Sequence, residues 1–276
     1  MAKKKTKKKQ SRVPKLILAG ALATGCLATF YFFNHGHNNT INYSTAQPYI
    51  PSEEQENPQV FVFSFKHAGT KKVGEDKKAD EYLEDQIERF TATLKELHSK
   101  GVEDIVLEGL TLDMVDALRE NPNVYSSFND NQFNYFAKLF GYLNSTEWRT
   151  QGMESLELLP EVSRHISVLG EMQRRYKASH DERIKEEARN YLEGPEGDKF
   201  YEVDVIQREK LALQKVKTGR KTVLVIGNGH AEHVTEGLEK EKIPYALYAD
   251  STEQELKELG TRSGFIKHYM DIIFNN

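Results

Sequence analysis

The sequence predicts an α/β fold: a central, largely parallel sheet flanked by helices and preceded by one N-terminal transmembrane helix. Short β-rich runs alternate with amphipathic helical segments, as expected for parallel strands joined by helical crossovers. Strand–loop–helix units occur at both ends of the domain, with a long charged helical insert between them. An uncharged apolar stretch precedes all of these elements and directly follows a basic block.

The apolar stretch, residues 16–33, follows residues 1–15, which contain eight Lys or Arg and no acidic residue. A helix over 16–33 would be about 27 Å long, close to the hydrocarbon thickness of a bilayer. Because basic flanks stay cytoplasmic, we expect a basic cytoplasmic tail, a single-pass signal anchor in the lipid bilayer and an exoplasmic remainder. Two alternatives stay open, a cleaved signal peptide and a lipoprotein signal with Cys26 as the lipid attachment point, and both also export the chain.

Residues 34–58 are polar and contain three prolines, which is typical of a linker. The exoplasmic domain is therefore predicted over residues 59–276. Beyond residue 50 the chain has 30 basic and 42 acidic residues, a net charge of −12. This charge argues against nucleic acid as a partner. Cys26 is the only cysteine and lies in the predicted anchor, so the domain has neither disulfides nor thiol chemistry.

The elements of the domain follow from apolar periodicity and from turn residues. Strands are predicted over residues 59–66, 104–108, 222–227 and 244–249. Helices are predicted over residues 79–100, 111–119, 133–143, 202–218, 231–240 and 252–259. The charged segment over residues 156–192 predicts one or two further amphipathic helices, and an apolar C-terminus closes the chain.

Polar side chains follow three of the predicted strands: His67 the first, Glu108 the second and His230 the third. Ligands of parallel α/β sheets bind outside the carboxyl ends of the strands, and imidazole and carboxylate are ligands of zinc, manganese and iron. Gly227 and Gly229 are expected to allow a tight turn that brings His230 over the sheet edge. The alternative is that each group only caps a helix, as Glu108 would, or faces solvent.

Four blocks of the sequence, in order, resemble the TraB/Tiki/ChaN-like superfamily. They are FVFSFKH, IVLEGL, the helix VIQREKLALQKVKTGRK that contains Arg208, and VLVIGNGHAEHVTEGLEKEKIPYALY. The resemblance implies an α/β fold in which His67, Glu108, Arg208 and His230 face one cleft. It implies either metal-dependent hydrolysis, as in the Tiki proteases, or haem binding, as in ChaN-like lipoproteins. The first block departs from the family pattern, because Ser64-Phe65 stands where the family has Gly with Thr or Glu.

Three hypotheses about function follow. The first is a membrane-tethered metallohydrolase or protease that acts on an exoplasmic peptide or small molecule. In it a divalent metal is held by His67, Glu108 and His230, while Glu108 also has a catalytic role and the catalytic Arg208 anchors the charge of the substrate. The second is a non-catalytic protein that binds haem or another ligand in the same cleft. Its further candidate haem ligands are Tyr125, Tyr135, Tyr142 and Met153. The third is a surface protein with a decayed site.

Overall fold

The computed structural model describes residues 48–65, 77–124, 131–249 and 251–274. The predicted cytoplasmic tail, the predicted anchor over residues 16–33, most of the predicted linker and His67 lie outside the described residues. Within the described ranges, no helix combines the length and the apolar character needed to cross a membrane.

Six strands form one sheet. They are β1 (Glu53–Glu54), β2 (Val60–Phe65), β3 (Asp104–Leu107), β4 (Arg149–Gly152), β5 (Thr222–Gly227) and β6 (Tyr245–Ala249). Their order in the sheet is β1-β6-β2-β5-β3-β4, and all neighbours are parallel except the antiparallel pair β1 and β6. The predicted α/β fold with a largely parallel sheet is confirmed.

Helices cover both faces of the sheet and build the insert. They are α1 (Lys77–Ser99), α2 (Leu112–Glu120), α3 (Asn131–Ser145), α4 (Leu159–Ser179), α5 (Glu182–Glu193), α6 (Pro195–Tyr201), α7 (Arg208–Val216), α8 (Asn228–Lys240), α9 (Glu253–Gly260) and α10 (Arg262–Phe274). A π-helical segment, Glu202–Gln207, joins α6 to α7. The charged segment therefore forms two helices, and the single helix predicted over residues 202–218 is divided into a π-helical and an α-helical part.

The two faces of the sheet carry separate apolar cores because side chains alternate along each strand. In β2, Phe61 and Phe63 pack with α1, α2 and α3 on one face. Val60 and Val62 pack with α7, α8 and α9 on the other face. The domain is thus layered as helices, sheet and helices, and both faces of the central strands are buried.

A third core lies in the helical insert, which consists of α4, α5, α6, the π-helical segment and α10. Phe200 of α6 contacts Phe265 and Tyr269 of α10, with ring centroids 5.1 and 4.8 Å apart. The apolar C-terminus is therefore a helix that completes the insert. The sequence did not predict this contact, because the two segments are separated by β5, α8 and β6.

Two edge strands were not predicted either. β4 is polar (RTQG), and its Gly152 lies so close to the loop after β3 that an added Cβ would be 2.3 Å from the carbonyl oxygen of Leu110. β1 falls in the range predicted as linker, yet Ser52 N–H donates to Leu247 O at 2.7 Å. The sheet therefore begins before the predicted domain start at residue 59.

Candidate functional site

The candidate site lies where the carboxyl edge of the sheet meets the insert. The ends of β4, β3 and β5 are side by side because these strands are neighbours. Glu108 directly follows β3, Glu154 follows β4, and His230 lies in the first turn of α8 after β5. The π-helical segment and α7 supply Asp204 and Arg208. Side chains that are distant in sequence therefore converge at this edge.

Arg208 is the centre of three carboxylates. Its Nη2 donates to Glu108 Oε1 at 2.8 Å and to Glu154 Oε1 at 2.5 Å, and its Nη1 donates to Asp204 Oδ1 at 3.0 Å. Burial lowers the pKa of Arg208, but the three carboxylates outweigh this effect and raise it well above its usual value. The guanidinium neutralises and orients protein groups, so the predicted role in anchoring substrate charge would require it to exchange a partner.

Glu108 and His230, two of the predicted site residues, meet directly. Glu108 Oε1 lies 3.4 Å from His230 Nε2, and its Oε2 accepts a hydrogen bond from the backbone N–H of Gly227. Each of the two side chains is only 10% exposed. The alternative in which Glu108 caps the next helix is wrong, because Thr111 caps α2 by accepting from Met114 N–H.

A second carboxylate, Glu209, contacts the other side of His230. His230 Nδ1 lies 3.3 Å from Glu209 Oε1, and His233 Nδ1 lies 3.1 Å from the same oxygen. Burial lowers the pKa of His230, but Glu108 and Glu209 raise it more strongly, to about 10. The imidazole of His230 is therefore protonated at neutral pH and faces a carboxylate from each ring nitrogen.

Sequence reasoning missed Glu154, Asp204 and Glu209. Asp204 and Arg208 have the spacing of four residues that places side chains on one helix face, which was an available signal. Glu209 is adjacent to the predicted Arg208, but adjacency does not indicate which way a side chain points. Glu154 had no signal, because it follows an edge strand with no apolar pattern.

The tight glycine turn predicted before His230 is wrong. Gly227 has φ −72° and ψ 153°, an extended conformation that needs no glycine, and α8 begins at Asn228. His230 reaches the sheet edge because it lies in the first turn of this helix. Asn228, directly after β5, links the ends of β2 and β6 by hydrogen bonds. Its Oδ1 accepts from Ser64 Oγ at 2.5 Å, and its Nδ2 donates to Ser251 Oγ at 2.7 Å.

The residues described at this edge do not fit a metal centre as they stand. Both nitrogens of His230 face carboxylates, and Glu108 is bound by Arg208 and by the N–H of Gly227. To ligate a metal, the imidazole of His230 would have to release a proton, because an imidazolium has no free nitrogen lone pair. Within the described ranges there is no group of three His, Cys, Asp or Glu residues suited to hold a metal. A metal held with His67, which lies outside those ranges, stays a prediction.

The candidate haem ligands do not converge in the described part of the chain. Met153 is buried in the core with α7 and α8, whereas Tyr142 packs against the core on the opposite face of the sheet. Tyr125 lies outside the described residues, as does the side chain of Tyr135. Haem binding also stays a prediction.

The fold and the site together define an α/β protein with a buried cluster of carboxylates, guanidinium and imidazole at the carboxyl edge of a parallel sheet. No protein-family model matches the chain. A search of curated proteins finds no match, and a search of solved structures finds none.

Proposed function

We propose that the chain is a membrane-anchored exoplasmic hydrolase of the TraB/Tiki-like type, with Glu108 as its general base and acid and His230 as its oxyanion donor. The observation that carries this proposal is the imidazolium of His230 held between Glu108 and Glu209 at the carboxyl edge of the sheet. Parallel α/β sheets bind ligands at this edge, and buried groups with strongly shifted pKa values are enriched at functional sites.

The charge of the cluster supports a functional role. Four carboxylates (Glu108, Glu154, Asp204 and Glu209) face one guanidinium and two imidazoles. Desolvating so many charges costs free energy that an apolar core would not cost. The π-helical segment that carries Asp204 adds to this support, since such segments occur frequently at functional sites.

The reaction that we propose is hydrolysis of a carbonyl group, such as that of a peptide bond. Glu108 takes a proton from water while the water oxygen forms a bond to the carbonyl carbon. The negative charge that develops on the carbonyl oxygen is stabilised by a hydrogen bond from the Nε2–H of His230. In the structure this nitrogen lies 3.4 Å from Glu108 Oε1, which is longer than a normal N–H···O bond. Glu108 then returns the proton to the leaving group as the tetrahedral intermediate breaks down.

The membrane location rests on the basic block at residues 1–15 and the apolar run at residues 16–33. A divalent metal, with His67 as a further ligand, is a separate part of the proposal and would replace the oxyanion contact of His230, because a nitrogen that ligates a metal carries no proton. It is tested by measuring the metal content of the full chain purified without chelator, for the wild type and for His67→Ala. Stoichiometric metal lost in the variant supports this part, and absence of metal from the wild type contradicts it.

The hydrolase is tested with the full chain in membranes and a panel of peptide, amide and ester substrates. We expect Glu108→Gln and His230→Asn each to lower kcat by a factor of about 100 or more, as removal of an oxyanion donor or a general base does. The control is Glu157→Gln, a nearby exposed carboxylate outside the cluster. Hydrolysis that both cluster variants retain, or no hydrolysis of any substrate by the wild type, would contradict the proposal.

A further inference from the structure

A cavity of about 480 Å³ lies at the amino edge of the sheet, on the opposite side from the cluster. Its walls come from the segment around β1 and from residues just before two strands, Pro58 two residues before β2 and Lys221 directly before β5. Its apolar floor consists of Phe61, Leu97 and Tyr248, all buried. The volume is within the range of sites for small molecules.

Tyr248 is the polar group of this floor. Its ring stacks on Phe63 with centroids 4.3 Å apart and an interplanar angle of 2°, and the residue is only 6% exposed. No described residue lies within hydrogen-bond distance of its hydroxyl. Burial, together with the charges of Glu54 and Glu96, raises the pKa of Tyr248 to about 12, so the hydroxyl keeps its proton and is a donor. The hydroxyl is not one of the fully buried side-chain atoms that lack a partner, so it is accessible to a ligand in the cavity and can donate to it.

The walls carry charges of both signs on separate segments. Lys100 follows α1 and Lys221 precedes β5, whereas Glu54 and Glu56 lie in and just after β1. None of these four side chains forms an ion pair with another described residue. Ammonium and carboxylate groups that do not neutralise one another fit a ligand with both a negative and a positive end.

We propose that this cavity binds a free α-amino acid with an apolar or aromatic side chain. The ligand carboxylate binds the ammonium groups of Lys100 and Lys221 and accepts from the hydroxyl of Tyr248. The ligand ammonium binds Glu54 and Glu56, and its side chain packs on the apolar floor. This binding site is separate from the proposed hydrolytic site, since the two lie at opposite edges of the sheet.

The test is a protein-observed NMR titration of the full chain with L-phenylalanine. Two analogues that keep the phenyl ring and its two-carbon chain each lack one charge: 3-phenylpropionate has no ammonium and 2-phenylethylamine has no carboxylate. We expect saturable shifts with L-phenylalanine and at least about threefold weaker binding of either analogue, the loss expected for one exposed ion pair. Equal binding of all three probes, or no saturable shift with L-phenylalanine, would overturn the proposal.

Variants locate the binding. Tyr248→Phe, which keeps the stacked ring, is expected to weaken binding by about three- to tenfold, as loss of one hydrogen bond does. Lys221→Met and Glu54→Gln are each expected to weaken it by about threefold or more. The control is Lys267→Met, a lysine of α10 in the insert. If the control weakens binding as much as Lys221→Met, or if Tyr248→Phe binds like the wild type, the cavity is not the site.

Discussion

Two buried histidines, one at the sheet edge and one in the insert, have pKa values that are shifted in opposite directions. His230 faces Glu108 and Glu209, and its pKa is raised to about 10. His165 in α4 has no exposed surface, lies with Nδ1 2.7 Å from Tyr191 OH, and stacks on Phe200 at 4.9 Å. Burial, followed by the charge of the neighbouring Arg164, lowers the pKa of His165 below its usual value. Burial alone therefore does not set the charge of an imidazole.

The difference lies in which groups face each ring. His230 has a buried carboxylate at each nitrogen. His165 has one carboxylate, that of Glu161, at 3.4 Å, but this side chain is 43% exposed and also pairs with Arg164. Solvent screens such a carboxylate, so it does not offset the desolvation of an imidazolium. Buried charge is thus concentrated at the sheet edge, whereas the core of the insert is built mainly from apolar and aromatic contacts.

The largest expected effect comes from removing the central cation of the sheet edge. Arg208→Met leaves Glu108, Glu154 and Asp204 without their shared partner in a buried position. We expect the free energy of unfolding in urea to fall by about 3 to 5 kcal/mol, the usual cost of breaking a buried ion pair by removing one partner.

The matched control is Arg174→Met in the insert. Its side chain is 76% exposed and, within the described part of the chain, pairs only with the exposed Glu171. We expect a change of less than about 1 kcal/mol for this variant. Similar losses for the two arginine variants would contradict the contrast between the two regions.

The second prediction concerns alkaline pH. The pKa of His230 is raised in the folded chain to about 10 from about 6.5 in the unfolded chain. The stabilisation from its charge is therefore fully present below pH 6.5 and is lost as the pH rises towards 10. Across this window we expect the stability of the wild type, relative to His230→Asn, to fall by about 1.4 kcal/mol per pH unit. A constant difference from pH 6.5 to 10 would show that His230 is neutral.

The third prediction is that His165 changes stability with pH in the direction opposite to His230. The pKa of His165 is lowered in the folded chain, so the unfolded chain binds more protons just below pH 6.5. We expect the stability of the wild type relative to His165→Gln to fall as the pH decreases through about 6.5, the range in which His230 contributes fully. Chemical denaturation at pH 7.5 and at pH 5.5 measures this change. An increase on acidification would show that Glu161 outweighs burial and Arg164.

The sequence predicted the elements whose pattern is strong. The apolar runs of β2, β3, β5 and β6 indicated the parallel sheet, and the strand ends indicated Glu108 and His230. The edge strands β1 and β4 could not be predicted, because short polar segments become strands only through pairing with a neighbour. Glu154 was missed with β4. The charge of His230 could not be predicted either, since it depends on Glu209, which packing of α7 against α8 brings into contact.

The smallest expected effect is that of replacing one helical glycine in each region, which allows stability and function to be measured separately. Gly229 in α8 and Gly170 in α4 are both helical, and an added Cβ at either position meets no atom within 4 Å. We expect Gly229→Ala and Gly170→Ala each to stabilise the chain by about 0.5 to 1 kcal/mol, because alanine loses less backbone entropy in a helix.

Only the first variant adds a methyl group beside His230. If a substrate approaches the sheet edge closely, Gly229→Ala raises KM or lowers kcat in the hydrolysis assay, while Gly170→Ala leaves both unchanged. If both variants are stabilised and their kinetics are unchanged, position 229 needs a glycine neither for its backbone conformation nor for access of substrate. Equal kinetic losses in both would assign the effect to overall rigidity, because the insert glycine lies outside the cluster of Glu108 and His230.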